Sequence, residues 1–219
     1  MFQDKIVSLK AGIINYAELV EKMIVHSIEG TVNRSESILQ EVIGKDEALA
    51  NRYELEFDEI CTNYIAQYQP VTKNLRMLIS AIKMSNDLER MADHAVNISQ
   101  SGLFLIGQPF IKPFVDIPKM SEITLNMLRD SIKSFVSEDI ELARKVLKAD
   151  SDVDNLKIRV MEDVTVFMER DKETIGRALK LINIASNLER IADLSTNICE
   201  DIIYIAEGMV VKHHNAENV

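Results

Sequence analysis

The stretch Leu88-Glu89-Arg90-Met91-Ala92-Asp93-His94-Ala95-Val96-Asn97-Ile98-Ser99 recurs one hundred residues later, without insertion, as Leu188-Glu189-Arg190-Ile191-Ala192-Asp193-Leu194-Ser195-Thr196-Asn197-Ile198-Cys199. Seven of the twelve aligned positions are identical, and most others exchange like for like. A period this long marks a duplicated domain, because solenoid repeats are several times shorter. In each copy a glutamate and an aspartate stand four residues apart, so on a helix both carboxylates point the same way.

Around both copies apolar residues recur at steps of three and four, the period of an amphipathic helix. A first helix over about residues 3–29 carries Ile6, Leu9, Ile13, Tyr16-Ala17, Val20 and Met23-Ile24 on one stripe, and Gly30 follows as a stop. A shorter helical piece covers about 32–43, before Gly44. The second main helix begins near Asp46, with Leu49, Tyr53, Phe57, Ile60-Cys61 and Tyr64-Ile65 on its apolar face, and Pro70 closes it. The third runs over about 71–105 and contains the first copy of the motif. Residues 107–118 hold Pro109, Pro113 and Pro118, a density that no helix survives. The pattern then restarts, with helices expected over about 119–136, 137–148, 149–170 and 174–207, capped by Gly208. The expected fold is all-α: two tandem antiparallel three-helix bundles, each with one additional short helix. They occupy residues 1–106 and 119–210, joined by a Pro-rich linker at 107–118 and followed by a frayed tail at 211–219.

Composition agrees. Of 219 residues 47% are hydrophobic but only 5% aromatic, with ten Met and no Trp, so each half can bury an aliphatic core of its own. Few Gly, Pro and aromatic residues suit long helices, not sheets. The net charge of −10 repels nucleic acid and anionic lipid alike and favours cations or basic protein patches. Two cysteines, Cys61 and Cys199, form no disulfide framework, as in a reducing compartment. No stretch has the ~18 uncharged apolar residues of a membrane span. The start, Met1-Phe2-Gln3-Asp4-Lys5, does not read as a signal peptide. The expectation is a cytoplasmic protein with no direct membrane insertion.

The turn between the second and third helices of each half is short, so they form a hairpin. In the second half, with the turn between Asp171 and Lys172, Asp154 faces Glu189 and Asp150 faces Asp193. Four carboxylates on facing helices repel one another unless a cation sits among them. Oxygen-rich sites suit hard ions such as Mg, Ca, Mn and ferric iron. In the first half, with the turn between Gln69 and Pro70, Asp93 faces Asp46 but Glu89 faces Ala50; Glu47 is one residue from the facing position and Glu54 one turn further on. The first site is thus expected to be poorer by one carboxylate and to bind metal more weakly. At ~100° per residue, the acids fall at the edge of the core stripe, so they should rim a surface shared by two helices. The bland alternative is a solvated acidic face neutralised by Arg90 and Arg190.

Other residues carry less. His26 and His94 are lone histidines, and His213-His214 lies in the tail. Di-iron oxidase bundles use Glu-x-x-His, but the third residue after each motif glutamate is Ala92 or Ala192. No Gly-rich phosphate loop is present.

The duplicated Leu-Glu-Arg-(Met/Ile)-Ala-Asp motif with Asn four residues on, the run from Asn197-Ile198-Cys199-Glu200 to Glu207-Gly208, and Leu75-Arg76 ahead of Glu89 resemble the PhoU family of phosphate-transport regulators. The resemblance spans the whole chain. It implies two three-helix-bundle repeats with metal clusters on acidic surface motifs: Glu89 with Asp93, Glu189 with Asp193, Asp150 with Asp154, and Asp46. It implies metal cofactors (iron, manganese, magnesium or zinc) and a homodimer. It also implies a non-enzymatic brake, signalling between the phosphate-specific ABC transporter ATPase and a sensor histidine kinase to repress phosphate-starvation genes. Two other readings stay open: a metal-dependent hydrolase, and an accessory adaptor of a low-affinity phosphate permease.

Overall fold

The computed structural model describes residues 2–111 and 115–208. Among them there is no strand. The chain runs through α1 (Phe2–Val32), α2 (Glu36–Glu41), a π turn (Val42–Asp46), α3 (Glu47–Tyr68), α4 (Thr72–Ile106), α5 (Asp116–Ser137), α6 (Ile140–Arg170), a 3-10 turn (Lys172–Thr174) and α7 (Ile175–Glu207). Helices α1, α3 and α4 pack on one another, as do α5, α6 and α7. The expected pair of antiparallel three-helix bundles is the architecture found.

Three boundaries differ from the sequence reading, each for a physical reason. The short piece expected over 137–148 does not exist as a separate helix. Glu138 ends α5 in the left-handed region, and the Asp139 side chain accepts from the Leu142 N–H at 3.0 Å, starting a helix that runs unbroken to Arg170. Its counterpart in the first half does not stop at Gly44 either. The π turn carries α2 into α3, and a Cβ on Gly44 would meet nothing within 4 Å, so nothing there demands a break. Helix α5 begins at Asp116, inside the expected linker; Pro118 sits in its first turn, where the missing N–H has no partner to lose. Pro113 and the tail from residue 209, with His213-His214, lie outside the described residues.

The two halves do not keep separate cores. Buried side chains from both form one cluster, because α4 packs along α7 and α1 packs against α5. Helix α4 is therefore buried on more than one face, and many of its buried residues are small: Ser80, Ala81, Ser85, Ala92, Ala95, Ser99 and Gly102. Gly102 marks the tightest approach; a Cβ there would lie 2.1 Å from Thr31 Oγ1 on α1. Polar pairs tie the α4–α7 seam. His94 Nδ1 lies 2.8 Å from Asn187 Oδ1, Ser101 Oγ donates to Asn183 Oδ1 at 3.0 Å, and Lys83 Nζ pairs with Asp201 at 2.8 Å. The two helices run antiparallel, so the duplication becomes an approximate twofold: the Ser101–Asn183 pair occupies the place that Asp201–Lys83 takes at the other end.

Candidate metal centres

The motif carboxylates lie at the rim between two helices, as the helical wheel requires. Glu89 and Glu189 are half-buried, whereas Asp93 and Asp193 are exposed. The residues around them (Leu88, Met91, Ala92, Ala95 and Leu188, Ile191, Ala192) are buried, so the core stripe fixes which way each acid points.

In the second half the structure brings the four expected acids together. The Asp193 carboxyl is pushed up to about 6, first by burial and then by the charges of Glu189, Asp150 and Asp154. Asp150 is nine-tenths buried and Asp154 exposed, so the set runs from the groove to its lip. The hairpin also contributes a residue that the sequence reading missed. Lys157, one turn beyond Asp154, donates to Glu189 Oε1 at 3.0 Å. It is the resident counter-charge of this cluster.

The first half differs from expectation in register. A π turn holds one residue more than an α turn, and this one shifts the correspondence between the halves. Before it, Leu39, Val42 and Asp46 are buried where Ala143, Val146 and Asp150 are; after it, Ala50, Phe57 and Cys61 match Val153, Val160 and Val164. Ala50 is therefore a core residue, with no exposed surface, and not a carboxylate missing from the site. Two acids stand where the second half has only Asp150. Asp46 turns to α1, where Lys22 Nζ is 3.0 Å away, and Glu47 goes to the rim. The Glu89 carboxyl is raised by burial and by the charges of Asp93, Glu54 and Glu47, with Arg90 opposing. Asn86 on α4 donates to Glu54 Oε1 at 3.1 Å and holds that acid to the hairpin. The acids gathered at the first rim are thus Glu47, Glu54, Glu89 and Asp93. Glu54 stands where the second half has Lys157.

One further polar atom lies within electrostatic reach of this first cluster. The Tyr16 side chain on α1 has no exposed surface, and its hydroxyl has no hydrogen-bond partner. Burial raises its phenol well above the usual range, and the charges of Glu89, Glu54 and Asp93 add to the rise. The sequence signal for it was only its place on the α1 core stripe, which a Leu would fill equally well.

Among the described residues no group of three or more His, Cys, Asp or Glu stands at metal-ligating spacing. The donor chemistry nonetheless fits a hard cation: all-oxygen sets on facing helices, carrying more negative charge than their own cations balance. The two thiols are buried and free, and burial pushes Cys61 up to about 12, so neither serves as a nucleophile or soft ligand. His94 belongs to the α4–α7 seam.

A duplicated three-helix repeat, with an acidic rim on each hairpin, is the class of protein that these observations define. The family model for the PhoU domain matches residues 13–101 and again 117–202. The phosphate-specific transport system accessory protein PhoU homolog of Aquifex aeolicus is 36% identical over 94% of this chain and 93% of its own length. PhoU homolog 2 of Thermotoga maritima is 32% identical over 99% and 92%. The crystal structure of PhoU from Pseudomonas aeruginosa superposes with a TM-score of 0.91 at 26% identity, covering 95% of this chain and 100% of that one. This chain belongs to the PhoU family.

Proposed function

We propose that this chain is a cytoplasmic, non-enzymatic regulator of phosphate uptake and phosphate homeostasis. It works by contact with the phosphate-specific ABC transporter ATPase and a sensor histidine kinase, as a homodimer, and represses the phosphate-starvation response. The observation that carries this reading is the match of both repeats, in order, to relatives named as accessory proteins of the phosphate-specific transport system. Among the described residues no helix is long and apolar enough to cross a membrane, which is in keeping with contact made from outside the bilayer. The net charge of −10 favours a basic protein patch as the docking partner.

We also propose that metal ions occupy the two acidic rims and set their shape. A cation among the rim carboxylates relieves the repulsion that, after burial, raises Asp193 and Glu89. The ion supplies charge and cross-links the two helices of the hairpin. Asn86 holds Glu54 in place, and Lys157 offsets part of the charge at the second rim.

Deleting the gene and reading a phosphate-starvation reporter in phosphate-rich medium tests the regulatory reading. Derepression that the wild-type chain reverses is expected; a reporter indifferent to the deletion overturns it. Elemental analysis of untagged protein beside Glu189→Ala/Asp193→Ala and Glu89→Ala/Asp93→Ala tests the metal reading. Each double variant should lose the metal of one rim and keep that of the other; equal content in all three proteins removes metal from the account.

A further inference from the structure

Helices α1 and α5 meet where the two repeats join, and a cavity of about 350 Å³ lies between them. Ala17 on α1 and Leu128 and Ile132 on α5 give it a buried apolar floor, and the half-buried Ile14 and the exposed Val136 line it nearer the surface. Ion pairs between the helices close both ends: Glu21 with Arg129 at one, and Lys10 with Glu138, 2.9 Å apart, at the other. These two pairs make α1 and α5 antiparallel. At 1.5 Å per residue, the stretch of α1 from Lys10 to Glu21 makes the open trough ~16 Å long.

Between its closed ends the lips of the trough carry opposite charges, Glu18 on α1 and Lys133 on α5, both exposed. The register set by the end pairs brings Glu18 level with Ile132 and Lys133. One turn away Glu21 and Arg129 meet across the same gap. Among the described residues, however, neither Glu18 nor Lys133 has an ion-pair partner. The lips therefore offer one acidic and one basic edge above an apolar floor. An anionic amphiphile would complement only the basic lip. A second copy of the chain would need far more surface than this short trough, since stable dimers bury roughly 800 Å² per partner. A helix matches it in length, because about eleven residues, or three turns, span ~16 Å. It also matches in chemistry, because apolar side chains at i, i+3 or i+4, and i+7 share one face and leave the flanking positions for charges.

We propose that the trough between α1 and α5 is a docking site for an amphipathic helix of a partner protein. Its apolar stripe lies on the floor, its basic edge runs along Glu18 and its acidic edge along Lys133. This rests on the reading above that the chain works by protein contact. The floor supplies most of the affinity and the two lips select the edges, because exposed ion pairs each add little.

The test uses the purified full-length chain and three fluorescent peptides, each held helical by a hydrocarbon staple. They share one leucine stripe and differ in their edges: Lys on one and Glu on the other, Lys on both, or Glu on both. Binding is read by fluorescence anisotropy at physiological ionic strength. The mixed peptide should bind the wild type most tightly, about fivefold ahead of the other two. Glu18→Lys makes both lips basic and should move the preference to the peptide with two Glu edges. Lys133→Glu makes both lips acidic and should move it to the peptide with two Lys edges. Both positions are exposed, so thermal unfolding of these variants should match the wild type. Val136→Glu sets a charge at the apolar mouth and should weaken all three peptides about tenfold. A wild type that prefers the peptide with two Lys edges answers only to its net charge of −10 and overturns the proposal. So does a ranking that neither charge variant changes, or no binding of any peptide. Sedimentation velocity tests the other occupant: a dimer that Val136→Glu dissociates assigns the trough to a second copy and overturns the proposal too. Every readout is made on the isolated chain, so these failures leave the reporter result and the regulatory reading standing.

Discussion

The two acidic rims descend from one motif, yet they differ in charge, in their third helix and in how their hairpins are built. The second is assembled by an uninterrupted helix, α6, which sets Asp150 and Asp154 opposite Asp193 and Glu189 and places Lys157 among them. The first is assembled across a π turn, which sends Asp46 inward to Lys22 and brings Glu47 and Glu54 to the rim with no lysine. One added residue in a helix thus changed which side chains meet the motif, while the motif stayed the same. Catalytic and binding sites often carry π turns, and here the physical effect is explicit: a rotation of about 100° in everything upstream, absorbed within one turn.

The strongest way to break this comparison is to change helix length. Deleting Gly44 should convert the π turn into an α turn and leave the packing on both sides in register. Cooperative unfolding should survive, with Tm within about 4 °C of the wild type, or roughly 1 kcal/mol. Deleting Lys148 from α6 offers no such escape. It rotates Ala143 and Val146 out of the core, and no cooperative transition should remain. Equal outcomes for the two deletions, read by thermal unfolding, would show that the π turn does not hold the extra residue.

A smaller effect tests the charge difference. Lys157→Glu should tighten cation binding at the second rim, and Glu54→Lys should weaken it at the first by about a hundredfold, on the order of 3 kcal/mol. Calorimetric titration of apo protein with Mn, in the background that lacks the opposite rim, reads each site alone. The order of affinities follows from the same count of charges. The first rim, once expected to be the weaker, should bind more tightly because it has no resident lysine.

The smallest effect lies on the α4–α7 seam. Asp87 is nine-tenths buried and its carboxyl is pushed up to about 6, first by burial, with Arg90 opposing and Asp201 adding to the rise. The same position in the second motif is Asn187. A carboxyl with a raised folded pKa keeps its proton in the native state while the unfolded chain has lost it. Stability therefore falls as pH rises from about 4 to about 6 and stays lower above that window. Asp87→Asn should change little at pH 4 and stabilise the protein by on the order of 2 kcal/mol at pH 8, measured by denaturant titration. An unchanged difference between the two pH values would detach Asp87 from that slope.

Much of the fold was legible because long amphipathic helices advertise themselves. The stripes from Ile6 to Ile24 and from Leu88 to Ile98 are buried as their period requires. The second rim was legible for the same reason: an uninterrupted helix lets facing residues be counted from the turn. The count failed in the first half because a π turn leaves no mark on hydrophobic period, and Gly44 reads equally well as a stop. Glu54 and Glu47 were in view but out of register. Lys157 and Tyr16 were out of reach, since one reads as an exposed helix cation and the other as core filling until a third helix is placed.

The sequence by itself determined that the chain is helical, that it is duplicated, and that each copy presents a glutamate and an aspartate from one helix face. Those are properties of spacing along a single helix, where geometry repeats every 3.6 residues whatever lies opposite. Tertiary structure decided what stands opposite. It merged the two cores along α4 and α7, assigned Ala50 to packing, paired Asp46 with Lys22 and put Lys157 in one rim. Those outcomes depend on register between helices, which one inserted residue can reset, so no single-helix pattern could contain them.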